Sequence, residues 1–119
     1  QPVIEIVFIN KFGGISKPVK AILDTGSYYS FVSSHWIDET FVKTGKELPY
    51  QVIDGNKGTG EEYQCRIAIP LLSDKTSFDF YFLVKNTVYD HFDVIIGSRF
   101  LSDFEIGFCL KGGKVFLSR

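Results

Sequence analysis

The chain has 119 residues, 13 of them basic and 14 acidic, with no basic run or stripe, which argues against a nucleic-acid partner. Its apolar stretches fall far short of the roughly 18 residues that cross a bilayer, and its opening residues lack the basic start and apolar block of a signal peptide. We therefore expect one domain over residues 1–119, with no membrane partner and no secretion.

The composition favours β-sheet and gives no sign of metal or disulfide chemistry. The chain has 12 Phe and 6 Tyr, and 11 Gly and 4 Pro punctuate it. Two cysteines, Cys65 and Cys109, are too few for a disulfide scaffold, and with two histidines they do not suggest a zinc site. We expect both thiols to be reduced and buried, which favours an intracellular location, and we expect no cofactor and no metal.

The first third of the chain predicts strands separated by turns. Runs of β-branched and aromatic residues indicate strands at Val3–Ile9, Pro18–Leu23 and Tyr29–Val32. Residues Ser33–Glu39 predict a short helix that ends by Gly45, because Ser is a good N-cap and acidic residues follow it.

The middle of the chain predicts a hairpin with a polar, glycine-rich tip. Residues Tyr50–Ile53 lead into Asp54–Gly60, which holds three glycines. Apolar residues then alternate with others in two stretches, the pattern of strands with one buried face. These apolar residues are Tyr63, Cys65, Ile67 and Ile69, followed by Phe78, Phe80, Phe82 and Val84.

The last part predicts a buried strand, a short helix and a hairpin. Asp93–Gly97 is a short apolar run, and Ser98–Phe104 has apolar residues at helical spacing. The turn Lys111–Lys114 separates Ile106–Leu110 from Val115–Leu117. The outline is a mainly β fold with one or two short helices.

The residues with the clearest chemistry are Asp24, Thr25, Gly26 and Ser27, which follow the apolar run Ala21-Ile22-Leu23. Asp is disfavoured in strands, so a carboxylate at the end of an apolar strand needs a reason. Gly26 allows a tight loop, and Ser27 can donate a hydrogen bond to the carboxylate. The plain alternative is an Asx turn, in which Asp24 binds backbone amides two residues on.

This motif resembles the catalytic loop of the retropepsin family of aspartic proteases, in which two hydrophobic residues precede Asp-Thr/Ser-Gly. A second family signature, two hydrophobic residues and a Gly before a short helix, is matched by Ile95-Ile96-Gly97 and the residues from Ser98. The resemblance covers nearly the whole chain. It implies a closed β-barrel subunit with a Gly-rich flap hairpin and a C-terminal hairpin, and catalytic roles for Asp24, Thr25 and Gly26.

Some details resemble particular branches of that family. The short helix after the motif strand and the C-terminal hairpin look more like the pararetroviral, retrotransposon and DNA-damage-inducible members, with a lean towards plant pararetroviruses. Many retroviral members have an Asp two residues after the motif Gly and an Arg directly after the later Gly. Tyr28 and Ser98 stand at those positions, so no lone buried charge is left behind.

A single Asp-Thr-Gly in the chain implies a homodimer, because peptide hydrolysis by this route needs two carboxylates that share one proton. A two-fold axis would place Asp24 beside Asp24 of a second copy. By resemblance, Thr25 would bond across that axis. Asp93 precedes an apolar run but lacks the Thr/Ser-Gly, and we expect it to be an exposed acid at a strand start.

The resemblance also implies residues that contact an extended polypeptide substrate. The flap is predicted at Ile53–Glu62, with Gly58, Thr59 and Gly60 near the substrate, although a mobile surface loop would look similar. Ser27 and three isoleucines are the remaining candidates, and plain core packing is an equal alternative for the isoleucines. These three are Ile22, Ile53 and Ile95.

The function expected from these residues is an aspartic endopeptidase that processes a viral or retroelement polyprotein, its own polyprotein being the natural substrate. One alternative is a retropepsin-fold module that dimerises or binds peptides without hydrolysis. Another is a cellular retropepsin-like domain that acts in protein turnover. The expected location is inside a host cell or a virion.

Overall fold

The computed structural model describes residues 2–38, 41–51, 57–72, 77–85, 93–102, 105–109 and 114–118. These form nine strands, one 3₁₀ turn and one short helix. In chain order they are β1 Val3–Ile9, β2 Val19–Asp24, β3 Phe31–Ser33, the 3₁₀ turn Ser34–Trp36, β4 Val42–Gln51, β5 Lys57–Ala68, β6 Ser77–Lys85, β7 Val94–Gly97, α1 Ser98–Leu101, β8 Glu105–Cys109 and β9 Lys114–Ser118. The predicted mainly β class is confirmed.

Seven strands form one sheet in the order β1-β2-β7-β3-β6-β5-β4. The first half of β1, from Val3 to Ile6, pairs with β2, and its second half, from Val7 to Ile9, pairs with β5. Six strands therefore close into a ring, which is compatible with the predicted barrel. Strands β8 and β9 form a separate antiparallel pair, the predicted C-terminal hairpin.

The main hydrophobic core follows from the alternation of side chains along the strands. In β1, Ile4, Ile6 and Phe8 are buried, and in β6, Phe80 and Phe82 are almost fully buried. Aromatic rings fill much of this core through contacts with centroids 5.4 to 6.0 Å apart, within the usual range for aromatic pairs. The high aromatic content of the sequence is thus used mainly for core packing.

Strand β4 is the largest difference from the sequence prediction. The predicted helix Ser33–Glu39 is a single 3₁₀ turn within the described residues, and Val42–Gln51 is a ten-residue strand. Gly45 and Pro49 are typical of turns, so the sequence did not predict this strand. Gly45 has φ of 85° at a register shift against β5, and Pro49 is tolerated because β4 lies at the edge of the sheet.

Strand β5 begins earlier than predicted, at Lys57, so Gly58, Thr59 and Gly60 lie within a strand and not in a loop. Both glycines make room for larger side chains. A Cβ on Gly58 would lie 2.7 Å from the Tyr50 ring, and one on Gly60 would lie 3.1 Å from the Leu83 Cβ. These glycines therefore let Tyr50 and Leu83 pack closely over β5.

The other differences concern strand and helix ends. Strand β2 extends to Asp24, β3 begins at Phe31, and α1 ends at Leu101, before Phe104, which lies outside the described residues. Cys65 is a free, buried thiol, as predicted, and burial raises its pKa to about 12. The side chain of Cys109 lies outside the described part. No helix among the described residues is long and apolar enough to span a membrane.

Candidate active site

The fold brings the two sequence motifs side by side. Strands β2 and β7 are parallel neighbours, with Ile22 opposite Ile95, Leu23 opposite Ile96 and Asp24 opposite Gly97. More than seventy residues separate Asp24 from Gly97 in the chain, so this pairing is a property of the fold alone. The carboxylate motif and the glycine motif therefore form one structural unit.

Asp24 ends a buried strand and starts a short polar turn. Its Oδ1 accepts a hydrogen bond from the Gly26 amide at 3.0 Å, and its carbonyl accepts one from the Ser27 amide at 3.2 Å. The Ser27 hydroxyl donates to the Tyr29 carbonyl at 2.8 Å and not to the Asp24 carboxylate, so the predicted bond to the carboxylate is not found. Ser27 instead shapes the loop that follows the carboxylate.

The turn presents this carboxylate to solvent. Asp24 and Ser27 are half-buried, whereas Thr25 and Gly26 are exposed and Tyr28 is 60% exposed. An Asx-type bond is compatible with a plain turn as well as with a catalytic loop. What distinguishes this turn is that β2, a strand with four buried residues, ends on it.

Gly97 holds the loop after Asp24 against β7. A Cβ at Gly97 would lie 2.4 Å from the Tyr29 carbonyl oxygen and 2.7 Å from that of Ser27, so only glycine fits. The Ser98 amide donates to the Ser27 carbonyl at 2.7 Å, and the Arg99 amide donates to the Tyr28 carbonyl at 3.1 Å. Backbone hydrogen bonds thus join the loop after Asp24 to the start of α1.

A second cluster of apolar residues lies on the face of the sheet opposite the main core. Residues paired between parallel strands share a face, and Leu23 and Ile96 point into the main core, so Ile22, Ile95 and Asp24 share the other face. This second cluster consists of Phe31, Leu83 and Ile95, with Tyr29, Leu48 and Tyr50 packed against it. It lies on the same face of the sheet as Asp24.

The predicted substrate-contacting residues are only partly brought together. Ile95 belongs to the second cluster, and Ile22 is buried beside it. Gly60 supports that cluster through Leu83, and Gly58 supports it through Tyr50. Thr59 is exposed on the β4–β5 hairpin, whereas Ile53 lies outside the described residues.

Three cluster residues were not singled out from the sequence. Phe31, Tyr50 and Leu83 come from three different strands. Their only sequence signal is the alternation along each strand, which does not say which face a residue occupies.

An ion pair between buried Glu62 and the 42% exposed Arg99 side chain was not predicted from the sequence. The Glu62 side chain is 3% exposed, and its carboxylate receives hydrogen bonds from the Thr44 hydroxyl at 2.8 Å and from Arg99 Nη1 at 3.2 Å. Thr44 is in β4, Glu62 in β5 and Arg99 in α1, directly after the glycine motif. This ion pair therefore connects the base of the β4–β5 hairpin to the segment that holds the Asp24 loop.

We expect Arg99→Met to lower the free energy of unfolding by about 2–3 kcal/mol, because it leaves the Glu62 carboxylate buried without its cation. Adding Glu62→Gln to the Arg99→Met protein should restore about 1 kcal/mol or more of the lost free energy of unfolding. The matched control is Arg66→Met, which breaks an ion pair to Asp79 whose side chains are 48% and 54% exposed. Urea unfolding should show that this control lowers the free energy of unfolding by less than about 1 kcal/mol. Equal costs for both arginine variants would contradict the structural role of Glu62.

A cavity of about 360 Å³ lies beside this ion pair, and Asp24 is not among its lining residues. The lining residues include Tyr29, Ser30, Glu62, Tyr81, Arg99 and Phe100. A groove that two subunits complete together would not appear as a cavity in one chain. The cavity therefore does not locate the chemistry, and the carboxylate geometry is the better guide.

A serine, a histidine and an aspartate lie next to one another near the start of β7, away from Asp24. The Ser33 hydroxyl is 2.8 Å from His35 Nδ1, and His35 Nε2 is 3.5 Å from Asp93 Oδ1. The His35 side chain is 61% exposed, but Ser33 is buried at 3% exposure. A substrate carbonyl cannot reach that hydroxyl, so this arrangement does not form a nucleophilic site.

Strand order and the placement of the two motifs define a retropepsin-like, all-β fold. A solved structure with this fold is the retroviral protease-like domain of Ddi1 from Leishmania major, which is 15% identical, with a TM-score of 0.50 over 99% of this chain and 88% of that one. No protein-family model and no curated protein matches the sequence. The likeness supports the fold and gives no support to the plant pararetroviral branch that the sequence favoured.

Proposed function

We propose that this chain is one subunit of a homodimeric aspartic endopeptidase in which Asp24 of each copy supplies one catalytic carboxylate. The observation that carries the proposal is the position of Asp24. Asp24 is the last residue of a buried strand and pairs with Gly97 on the neighbouring strand. It begins a solvent-facing turn, and backbone hydrogen bonds connect this turn to the segment that follows Gly97. The retropepsin-like fold supports the same activity.

The proposed reaction is hydrolysis of a peptide bond by water. One Asp24 carboxylate is ionised and takes a proton from the attacking water, while the other is protonated and hydrogen-bonds the scissile carbonyl oxygen. The resulting tetrahedral intermediate collapses when the leaving nitrogen receives a proton from the pair. Two carboxylates about 3 Å apart cannot both ionise easily, so they keep the single proton that this sequence of steps needs.

A second copy of the chain is needed because the described part has no other carboxylate in an equivalent position. The exposed turn from Asp24 to Tyr28 is the surface that we assign to the two-fold axis, with Thr25 bonding across it. The β8–β9 hairpin is a second candidate for contacts between subunits. The β4–β5 hairpin would cover the substrate as a flap.

The proposed substrate is an extended polypeptide segment, bound by main-chain hydrogen bonds and by pockets for alternate side chains. By resemblance, the natural substrate is the polyprotein to which the chain belongs. Tyr29, Leu48 and Tyr50, which are partly buried and pack over the second cluster on the Asp24 face, are the apolar side chains available to contact one of these substrate side chains.

We expect the purified chain to cleave its flanking polyprotein. Because the site requires two copies, the activity per chain should fall on dilution in step with the dimer fraction measured by analytical ultracentrifugation. Activity that stays constant while the protein dissociates to monomer would contradict a shared site. A protein that dimerises and binds peptides without cleaving them would instead be the non-catalytic module.

A further inference from the structure

Lys85 is the last residue of β6 and lies on the same face as Leu83, two residues before it. Its ammonium nitrogen is 4.4 Å from the centroid of the Phe31 ring and 4.8 Å from that of the Tyr50 ring. These two rings meet edge to face with centroids 5.4 Å apart. A cation is thus placed at the border of the second cluster by two aromatic rings.

Among the residues that the structure describes, no carboxylate forms an ion pair with Lys85. The described ion pairs all lie elsewhere, and none of them involves Lys85. Aromatic faces attract a cation but accept none of its three N–H groups as a carboxylate would. Partial burial also lowers the pKa of Lys85. An anion bound beside this ammonium could accept hydrogen bonds from its N–H groups.

The position of Lys85 relative to Asp24 follows from strand pairing. From β6 the sheet continues through β3 and β7 to β2, with Leu83 beside Phe31, Phe31 beside Ile95 and Ile95 beside Ile22. Neighbouring strands are about 4.8 Å apart, so β6 is roughly 14 Å from β2 across this face. Because β6 and β2 run in opposite directions, Lys85 and Asp24 are also four residues, about 13 Å, apart along the strands. The two positions are therefore about 19 Å apart, which an extended peptide covers in roughly six residues.

We propose that Lys85 makes the enzyme select an acidic side chain, glutamate or aspartate, at one substrate position within about six residues of the cleaved bond. This inference rests on the proposed protease function, because it assumes that the peptide lies along the Asp24 face. The partly buried Tyr50 ring, which lies beside Lys85, would pack against the methylene groups of the acidic residue. Its carboxylate would accept charge-assisted hydrogen bonds from the ammonium.

The test uses short synthetic peptides in which Glu, Gln or Lys occupies each position around the cleavage site in turn. At about pH 6 the glutamate is ionised, so Gln is a neutral match of nearly the same shape. We expect kcat/KM for Glu to exceed that for Gln by about tenfold at one position, with Lys the poorest there. Lys85→Met should remove the preference, so that the ratio of kcat/KM for Glu to kcat/KM for Gln falls to about one. Lys85→Glu should reverse the order and favour Lys.

The matched control is Lys11→Met. Lys11 also lies over an aromatic ring, with its nitrogen 5.3 Å from the Phe12 centroid, but it is exposed in the turn after β1. That variant should keep the full preference for Glu. The inference is overturned if the ratio of Glu to Gln is the same in the native protein and in Lys85→Met, or if Lys11→Met changes it equally.

A binding measurement separates this inference from the proposed function. The dissociation constants of the Glu and Gln peptides can be measured by calorimetry on Asp24→Asn protein, with and without Lys85→Met, since no hydrolysis is needed. A Glu preference that depends on Lys85, in a native protein that never cleaves, would support the inference and contradict the protease. Binding without any Glu preference, or no binding of these peptides at all, would overturn the inference even if cleavage occurs.

Discussion

Replacing Asp24 with Asn is expected to reduce peptide hydrolysis by about 10³-fold or more, because the substituted amide can neither take a proton from water nor share one with its partner. The fold should survive the change. The amide keeps an oxygen that can accept the bond from the Gly26 amide, which is now 3.0 Å from Asp24 Oδ1. Cleavage of a junction peptide and thermal unfolding of the same sample measure both effects.

The matched control for this substitution is Asp93→Asn. Asp93 is the other aspartate beside an apolar run, and its neighbour is the exposed His35 ring. We expect that variant to retain cleavage. Mixing native protein with an excess of the Asp24→Asn protein should inhibit it, because each mixed dimer has only one carboxylate. Full activity of Asp24→Asn, or its loss in Asp93→Asn alone, would refute the assignment of Asp24.

Replacing Gly97 with Ala is expected to lower the free energy of unfolding by about 3 kcal/mol or more, and the melting temperature by about 10 °C. The added methyl group would lie 2.4 Å from the Tyr29 carbonyl oxygen and 2.6 Å from its carbon. Both atoms are backbone, so the clash cannot be relieved by a side-chain rotation. The loop after Asp24 would have to move, and hydrolysis should fall together with stability.

Gly13→Ala is the control for the general effect of losing a glycine. Gly13 has φ of 83°, but a Cβ there would have no neighbour within 4 Å. Gly13→Ala should lower the free energy of unfolding by only about 1–2 kcal/mol, which is the cost of placing alanine in a left-handed backbone conformation. Hydrolysis should be unchanged. Denaturant unfolding of the two variants gives the comparison. A smaller loss for Gly97→Ala than for Gly13→Ala would show that the loop accommodates the methyl group.

Short-range patterns in the sequence were enough to predict the strands with regular alternation and the two motif segments. The run before Asp24 and the run before Gly97 became β2 and β7, and β8 pairs with β9 as in the predicted C-terminal hairpin. These predictions succeeded because burial imposes a period on consecutive residues. The ring closure through β1 and the parallel pairing of the motif strands needed the tertiary fold.

Strand β4 could not be predicted because its two irregular residues are typical of turns. Gly45 is used for a bulge and Pro49 for an unpaired edge, and both uses depend on the neighbouring strand. The position of Lys85 over two rings and the burial of Glu62 likewise depend on residues far away in the chain. From the sequence alone, such charged residues cannot be distinguished from ordinary surface residues, because their partners are known only from the fold.

The division of β1 between two partner strands has a consequence for the order of folding. Its first half can pair with β2 as soon as the first 24 residues are available. Its second half must wait for β5, where Phe8 meets Ile67 roughly sixty residues later. During synthesis the second half of β1 therefore has no partner strand until β5 has been made. Until the sheet closes, an apolar strand edge containing Phe8 is open to pairing with other chains.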